Sequence, residues 1–367
     1  MKFSILQQDF LPVVQSVSRS VGVRATLPVL DNILLSVEGK KLKVASTNLE
    51  IGVIKNLAVE AEKEGSITIP AKTLLEVVTG IREGKIVMEL EGEVLNISSG
   101  NFQAQINGIS ASEFPAIPVL SANGVNFPKQ ALESCAQILF AAAVDEGRPV
   151  LTGILAEVKD GKLSLVATDG FRLAHRDVEI SKNGPTQFRS LIPKRTLEEV
   201  LRILDEEDAE AVSVSTSEGE NQIIFKVGST ILSSRLIEGQ FPAWEKIIPE
   251  KYIARVIVER EEFLKAVKLA SVFTRNEANI VIVSCKKEGL DLKSSAKELG
   301  SQKNKIEAEV EGEELEVAFN TKFLMDTLSA DNAKQVMIEF SGPLSACLIK
   351  PVGKAGLEYI IMPVRLS

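Results

Sequence analysis

The chain repeats itself three times, and this repetition restricts its possible folds more than any other feature. The segment ILLSVEGKKLKVASTNLEIGV (33–53) resembles GILAEVKDGKLSLVATDGFRLA (153–174), and IVIVSCKKEGLDLKSSAKEL (280–299) is a third copy. In each copy, alternating apolar residues mark two strands, and a turn with Gly39, Gly161 or Gly289 joins them into a hairpin. A second block recurs too. SITIPAKTLLEVVTGI (66–81) matches SLIPKRTLEEVLRIL (190–204) and, more weakly, VAFNTKFLMDTL (317–328), each a short strand followed by a helix. Leu197, Val200, Leu201 and Leu204 fall at i, i+3, i+4 and i+7, one apolar stripe along the middle helix. Each copy also opens on an expected helix: 7–21, 128–143 with Pro128 in its first turn, and 260–273. The spacing of the copies is that of one domain. The chain therefore reads as three α+β domains, 1–120, 127–249 and 250–367, each with two helices and several antiparallel strands. Amphipathic helices cover only one face of the sheets on which they pack.

Composition removes several classes of function. A net charge of −8 over 367 residues excludes a molecule that is basic throughout, though a local positive surface can coexist with it. Cys135, Cys285 and Cys347 lie far apart without a CxxC pair, so neither a zinc site nor a disulfide framework is expected, and a reducing cytoplasm fits. The N-terminal MKFSILQQDF lacks the apolar core of a signal peptide. No apolar run approaches the roughly 20 residues needed to cross a bilayer.

The densest cluster of reactive side chains is VATDGFRLAHRD (166–177), which holds the only histidine. One reading is an enzyme acting on a phosphate ester through His175, Asp169 and Arg172. The first repeat carries ASTNLEIG at the equivalent place, and no nucleophile neighbours His175, so the bland reading is a partly exposed strand-end histidine. The acidic run DEEDAE (205–210) lacks apolar residues to bury it and reads as a solvated loop, not a two-metal site. GKAGLEY (353–359) has neither phosphate-loop nor dinucleotide spacing. The tail YIIMPVRLS is more informative. Tyr359–Ile361 suits a closing strand, but Pro363 donates no ladder hydrogen bond, so the strand must end or lie on an edge there. Met362 beside that proline suits an adaptable apolar pocket for a partner peptide. A protein-only scaffold is the third reading.

The threefold repeat, LPVLDNILL (27–35), ATDGFRLA (167–174) and the terminal YIIMPVRL (359–366) together resemble the bacterial DNA sliding clamps, the beta subunits of DNA polymerase III, over essentially the whole chain. The resemblance implies a ring-shaped head-to-tail homodimer, with antiparallel sheets outside and two helices per domain inside. It also implies duplex DNA in the hole and no chemistry, cofactor or metal of the chain's own. The implied role is to tether the polymerase to its template for processive replication, in the cytoplasm and at the nucleoid, with no membrane attachment. The DNA-facing residues implied are Arg24, Lys72, Lys194, Arg195, Arg202, Lys265 and Lys268, which touch phosphates without reading bases.

A pocket for peptides of the Gln-Leu-Ser-Leu-Phe kind is implied at Leu151, Thr168, Gly170, Phe171, Arg172, Leu173, Pro242, Lys246, Ile247, Phe323, Leu344, Ala346, Ile360, Met362, Pro363, Val364 and Arg365. Thr168, Arg172 and Arg365 would orient the polar end of the peptide, and a few apolar anchors would carry about 2 kcal/mol each. Phe171, Phe323 and Ala346 depart from the family's frequent histidine, tyrosine and serine, which makes the pocket more apolar. The implied partners are double-stranded DNA, a second copy of the chain, the replicative polymerase alpha subunit, the clamp loader, repair polymerases and mismatch-repair proteins. The implied dimer contact joins Val272 and Phe273 to the strand at Phe102 and Ile106.

Overall fold

A computed structural model describes residues 1–22, 27–82, 84–119, 124–145, 147–180, 188–217, 221–274 and 279–365. The first repeat runs β1 (Lys2–Leu6), α1 (Gln7–Ser18), β2 (Asn32–Glu38), β3 (Lys41–Thr47), β4 (Ile51–Ala58), β5 (Glu60–Lys63), β6 (Gly65–Pro70), α2 (Ala71–Gly80), β7 (Lys85–Glu91), β8 (Val94–Ser99) and β9 (Phe102–Asn107). The second runs β10 (Val125–Pro128), α3 (Lys129–Glu133), β11 (Gly153–Lys159), β12 (Lys162–Thr168), β13 (Arg172–Glu179), β14 (Phe188–Pro193), α4 (Lys194–Glu207), β15 (Ala211–Ser217), β16 (Gln222–Val227) and β17 (Thr230–Arg235). The third runs β18 (Ala254–Glu259), α5 (Arg260–Val272), β19 (Ile280–Lys286), β20 (Gly289–Ala296), β21 (Gly300–Ile306), β22 (Glu309–Gly312), β23 (Leu315–Asn320), α6 (Thr321–Ser329), β24 (Gln335–Phe340), β25 (Cys347–Pro351) and β26 (Leu357–Ile361).

The hairpins follow from local sequence. At the β11–β12 turn Asp160 and Gly161 both have positive φ (52° and 75°), the geometry that matches strand twist. In the third copy the turn is Lys287–Glu288 and the glycine opens β20 instead; a Cβ on Gly289 would lie 2.1 Å from the Ile306 carbonyl oxygen. Along α4 the buried stripe is Leu197, Val200, Ile203 and Leu204, with Leu201 at its half-buried margin.

Two expectations fail. The helix expected over 128–143 is only the short α3 followed by 3-10 turns at Ser134–Gln137 and Leu139–Ala141, and Pro128 ends β10 instead of opening the helix. Tightening to 3-10 turns leaves the Phe140 carbonyl free to accept from Arg172 Nη2 at 2.8 Å. The run at 205–210 is a solvated loop only from Asp208 onward. α4 extends to Glu207, Glu206 accepts from Lys55 Nζ at 2.8 Å, and Glu207 accepts from Ser229 N at 2.8 Å. Lys55 is buried, and a buried cation requires such partners.

Sheets extend across repeats, so compactness does not follow the repeat boundaries. One compact unit is Met1–Lys129 with Glu199–Leu236, and the other is Gln130–Glu198 with Ile237–Ser367. The first holds a five-stranded sheet, β5-β1-β7-β8-β9, and an eight-stranded sheet, β10-β15-β16-β17-β4-β3-β2-β6. The second holds a nine-stranded sheet, β14-β11-β12-β13-β26-β25-β24-β18-β22, and a four-stranded sheet, β21-β20-β19-β23. In the first unit α1 pairs with α2 and packs on β1, β3 and β4; in the second α5 pairs with α6 and packs on β18 to β21. The helices bury Phe10, Val14, Leu74 and Val78 in one unit and Phe263, Val267, Leu324 and Leu328 in the other.

Candidate functional site

The turn between β12 and β13 is held by its own side chains. Asp169 Oδ1 accepts from the backbone N–H groups of Phe171 and Arg172, both at 2.9 Å. Thr168 Oγ1 accepts from Gly170 N (3.1 Å) and donates to the Arg172 carbonyl (2.6 Å). Gly170 takes φ +90°, which a side chain would strain. The result is a rigid turn that presents Phe171 59% exposed.

The chain's tail is pinned beside it. Met362 N donates to the Phe171 carbonyl at 2.9 Å and Val364 N to the Ala318 carbonyl at 2.8 Å. Pro363 falls between the two donors, where no N–H is needed. Ile247, from the one-turn 3-10 helix Trp244–Ile247, faces the same space. Together Thr168, Gly170, Phe171, Arg172, Leu173, Ile247, Ile360 and Met362 line a cleft of about 200 Å³. Leu173 and Ile360 also belong to a buried cluster with Leu155, Val166, Leu191, Phe241 and Leu348, against which Trp244 and Ala346 pack.

Other residues expected at the pocket lie outside that lining. Pro242, Lys246, Leu344 and Arg365 are exposed, Ala346, Pro363, Val364 and Phe323 are half-buried, and Leu151 is buried at the end of a 3-10 turn.

Arg172 and Thr168 were expected to orient a peptide, and the structure spends their polar atoms elsewhere. Arg172 is buried, with Nε on Asp169 (3.0 Å), Nη1 on Asp326 (2.6 Å) and Nη2 on the Phe140 carbonyl (2.8 Å). Its guanidinium carbon stands 5.2 Å from the Phe140 ring centre and 4.6 Å from that of Phe323. Arg172 therefore braces the cleft wall and has no donor left to offer from Nε. Phe140 and Asp326 carried no motif of their own, and neither was legible in the sequence.

His175 is not a partly exposed strand-end residue. It sits within β13, only 8% exposed, with Nε2 2.8 Å from Asp177 Oδ1 and 3.1 Å from Ser164 Oγ. Nδ1 lies 3.6 Å from Glu358 Oε2 and the ring is 4.5 Å from that of Trp244, centre to centre. Burial disfavours a charged ring, but the hydrogen bond to Asp177 and the Glu358 carboxylate outweigh it and raise the imidazole to about 9. The same contact draws the Asp177 carboxyl below its usual range.

Basic residues stand on the helices. On α5 Lys265 and Lys268 are exposed opposite the buried Phe263, Ala266 and Val267. With Lys322 of α6, missed in the sequence, they rim a groove of about 840 Å³ over Leu269, Val272 and Met325. Lys72 is exposed on α2 and Arg195 on α4. Lys194 approaches Glu198 at 3.9 Å, and Arg202 pairs with Glu199 at 3.0 Å, which tempers the charge of α4. Arg24 lies outside the described residues. Phe102 and Val272 are exposed and Phe273 is half-buried, whereas Ile106 is buried and paired with Leu95 of β8, so its side chain is not open to a second chain. Among the described residues no group of three or more His, Cys, Asp or Glu could hold a metal ion, and no helix is long and apolar enough to cross a membrane.

Comparison with known proteins gives this geometry its context. The sequence matches the family models for the N-terminal (1–118), central (127–243) and C-terminal (245–365) domains of the DNA polymerase III beta subunit. The chain belongs to that family, the bacterial sliding clamps. It is 32% identical to the beta sliding clamp of Synechococcus elongatus and 29% identical to that of Bacillus subtilis, with all of each chain covered. It superposes on the crystal structure of the Bacillus subtilis DNA polymerase sliding clamp with a TM-score of 0.95 at 28% identity, and on that of the Pseudomonas aeruginosa clamp bound to griselimycin with 0.94 at 26%, again over all of both chains. As a clamp it is a non-catalytic processivity factor of DNA polymerase III, so the side chains of VATDGFRLAHRD build and brace a surface and do no chemistry.

Proposed function

We propose that two copies of this chain close head to tail into a ring around duplex DNA, and that the cleft at Phe171 and Met362 takes the short peptide motifs of replication proteins. The observation that carries the ring is the pattern of free strand edges. Each repeat contributes one half-sheet ending in β4, β13 or β21 and another ending in β9, β17 or β26. Inside the chain β4 pairs with β17 and β13 with β26, both antiparallel. Among the described residues that leaves β21 and β9 without a partner strand on that side, one at each end of the series. A heterologous contact between β21 of one copy and β9 of the next repeats the two internal junctions and closes when the rotation returns to its start.

The register follows as well. Ala45 faces Ile54, Val166 faces His175 and Lys293 faces Lys303 in the equivalent hairpins. On the other side Lys226 faces Ile231 and Ser98 faces Gln103. Because Ile54 pairs with Ile231, and His175 with Glu358, Lys303 of one copy is expected opposite Gln103 of the next.

The lysines of α2, α5 and α6, with Lys194, Arg195 and Arg202 of α4, then serve as loose, sequence-independent phosphate contacts, while the net negative charge elsewhere discourages side-on binding. The replicative polymerase alpha subunit, the clamp loader, repair polymerases and mismatch-repair proteins are the partners of the cleft, and the cytoplasm and nucleoid the place of action. The domains of the ring correspond to 1–120, 127–249 and 250–367. The test is topological. Protein loaded on a nicked circular plasmid should co-elute with it on gel filtration and be released when the circle is linearised. Equal retention on circle and linear DNA would overturn the ring.

A further inference from the structure

We propose that His175 is a positioning residue of the peptide cleft: as an imidazolium clasped between Asp177 and Glu358 and stacked on Trp244, it holds β26 on β13 and seats the turn that carries Ile247. The proposal rests on the reading of the cleft as a peptide site. His175 does not line the cleft. It acts through the two elements that do. Glu358, directly across the strand pair, stands four residues before Met362, and Trp244 begins the turn that ends at Ile247.

Two observations separate this role from ordinary sheet packing. The first is the chemistry of the ring. Nδ1 is buried without a hydrogen-bond partner and faces a carboxylate oxygen at 3.6 Å. In a neutral ring that donates from Nε2 to Asp177, Nδ1 would turn a lone pair toward that carboxylate. Only the doubly protonated ring satisfies both sides. The second is the first junction, where the equivalent pair is Ile54 opposite Ile231, apolar on both strands. At this register position the sheet therefore forms across a junction without an ion pair between the strands, the neighbouring Lys55 being paired with Glu206 and Glu207 of α4 instead, and a charged pair across the strands is particular to the junction that bears the cleft.

The charged groups around the ring are Asp177 on its own strand and Glu358 on β26, with Ser164 on β12 and Trp244 from the turn. Lys350 of β25 pairs with Glu358 at 3.1 Å, and Lys162 acts on Asp177. The folded-state pKa of His175 is raised, so its contribution is complete below the ordinary histidine range and is lost as pH rises through about 9.

The chain holds one histidine and one tryptophan, and they are in contact, so Trp244 fluorescence of the peptide-free protein follows the protonation of His175. The experiment titrates a Gln-Leu-Ser-Leu-Phe peptide against the full-length protein from pH 6 to pH 10 and reads that fluorescence before peptide is added. A parallel series uses the double variant His175→Ile with Glu358→Ile, which installs the first junction's apolar pair. In the parent protein, affinity should hold to about pH 8 and weaken about fivefold in step with the fluorescence change. In the double variant the pH profile should be flat over the same range. Parent affinity that stays constant while the fluorescence titrates would overturn the proposal and leave the cleft intact. So would an equal alkaline loss in the double variant, which would assign the effect to groups other than His175. If the double variant does not fold, the parent's coupled or uncoupled profiles still decide. Absence of peptide binding at pH 7 would overturn the reading of the cleft itself, and this proposal with it.

Discussion

Phe171 and Arg172 are neighbours in sequence with opposite duties. Phe171 is mostly in solvent and can only contribute by contact, whereas Arg172 is buried and consumed by Asp169, Asp326 and the Phe140 carbonyl. Phe171→Ala should therefore weaken the Gln-Leu-Ser-Leu-Phe peptide by about 1–2 kcal/mol while leaving the urea unfolding curve in place. Arg172→Ala should do the reverse first. It strands carboxylates at low exposure and should lower stability by about 2–3 kcal/mol in the same unfolding measurement. An Arg172→Ala protein as stable as its parent would return Arg172 to the role of a direct peptide contact. Residue types alone could not sort the two duties. A threonine, an aspartate and an arginine around a glycine turn look alike whether they serve a ligand or each other. The bracing partners of Arg172 lie on a distant helix and on a carbonyl released by a broken one. The same holds for His175, whose neighbours Glu358 and Trp244 are remote in sequence.

At the scale of elements, hairpins were legible because their signals are local: alternation of apolar residues, a turn glycine, and a strand that feeds a helix. The failure at 128–143 has an equally local limit. Its composition is compatible with a helix, and only the packing of Phe140 against Arg172 and Tyr359 shows why the segment tightens into 3-10 turns. Pairings between repeats are nonlocal, yet once two are known the third has a definite register. Gln103→Cys combined with Lys303→Cys should form a covalent link between copies under mild oxidation, read on a non-reducing gel. Ala104→Cys with Lys303→Cys, one residue out of phase and on the opposite face, should not. The native thiols do not compete, because all three are buried and burial pushes Cys135 up to about 12. Equal cross-linking of both pairs would mean that β9 and β21 do not form a ladder.

At the scale of the whole molecule, an acidic chain that handles DNA needs its positive charge where the duplex passes. The groove between α5 and α6 concentrates Lys265, Lys268 and Lys322. Reversing all three to glutamate should leave peptide binding unchanged and reduce loading on circular DNA. On short duplexes at low salt the slope of log affinity against log salt should shrink by about 0.9 for each phosphate that is no longer neutralised. Loading equal to that of the parent would remove these lysines from the DNA path. Sequence by itself determined the threefold repeat, the α+β class, the strand-and-turn units and, through specific terminal and turn motifs, the family. The α+β class and the strand-and-turn units rest on periodicity and composition within short windows, where backbone propensity and amphipathic burial act residue by residue, whereas the repeat and the family rest on likeness between segments. Tertiary structure alone decided which strands close each sheet across the repeats, which edges remain open, and which polar side chains of VATDGFRLAHRD are satisfied internally. Those outcomes depend on partners brought together from distant parts of the chain, and a buried charge can be assigned a role only once its partner is known.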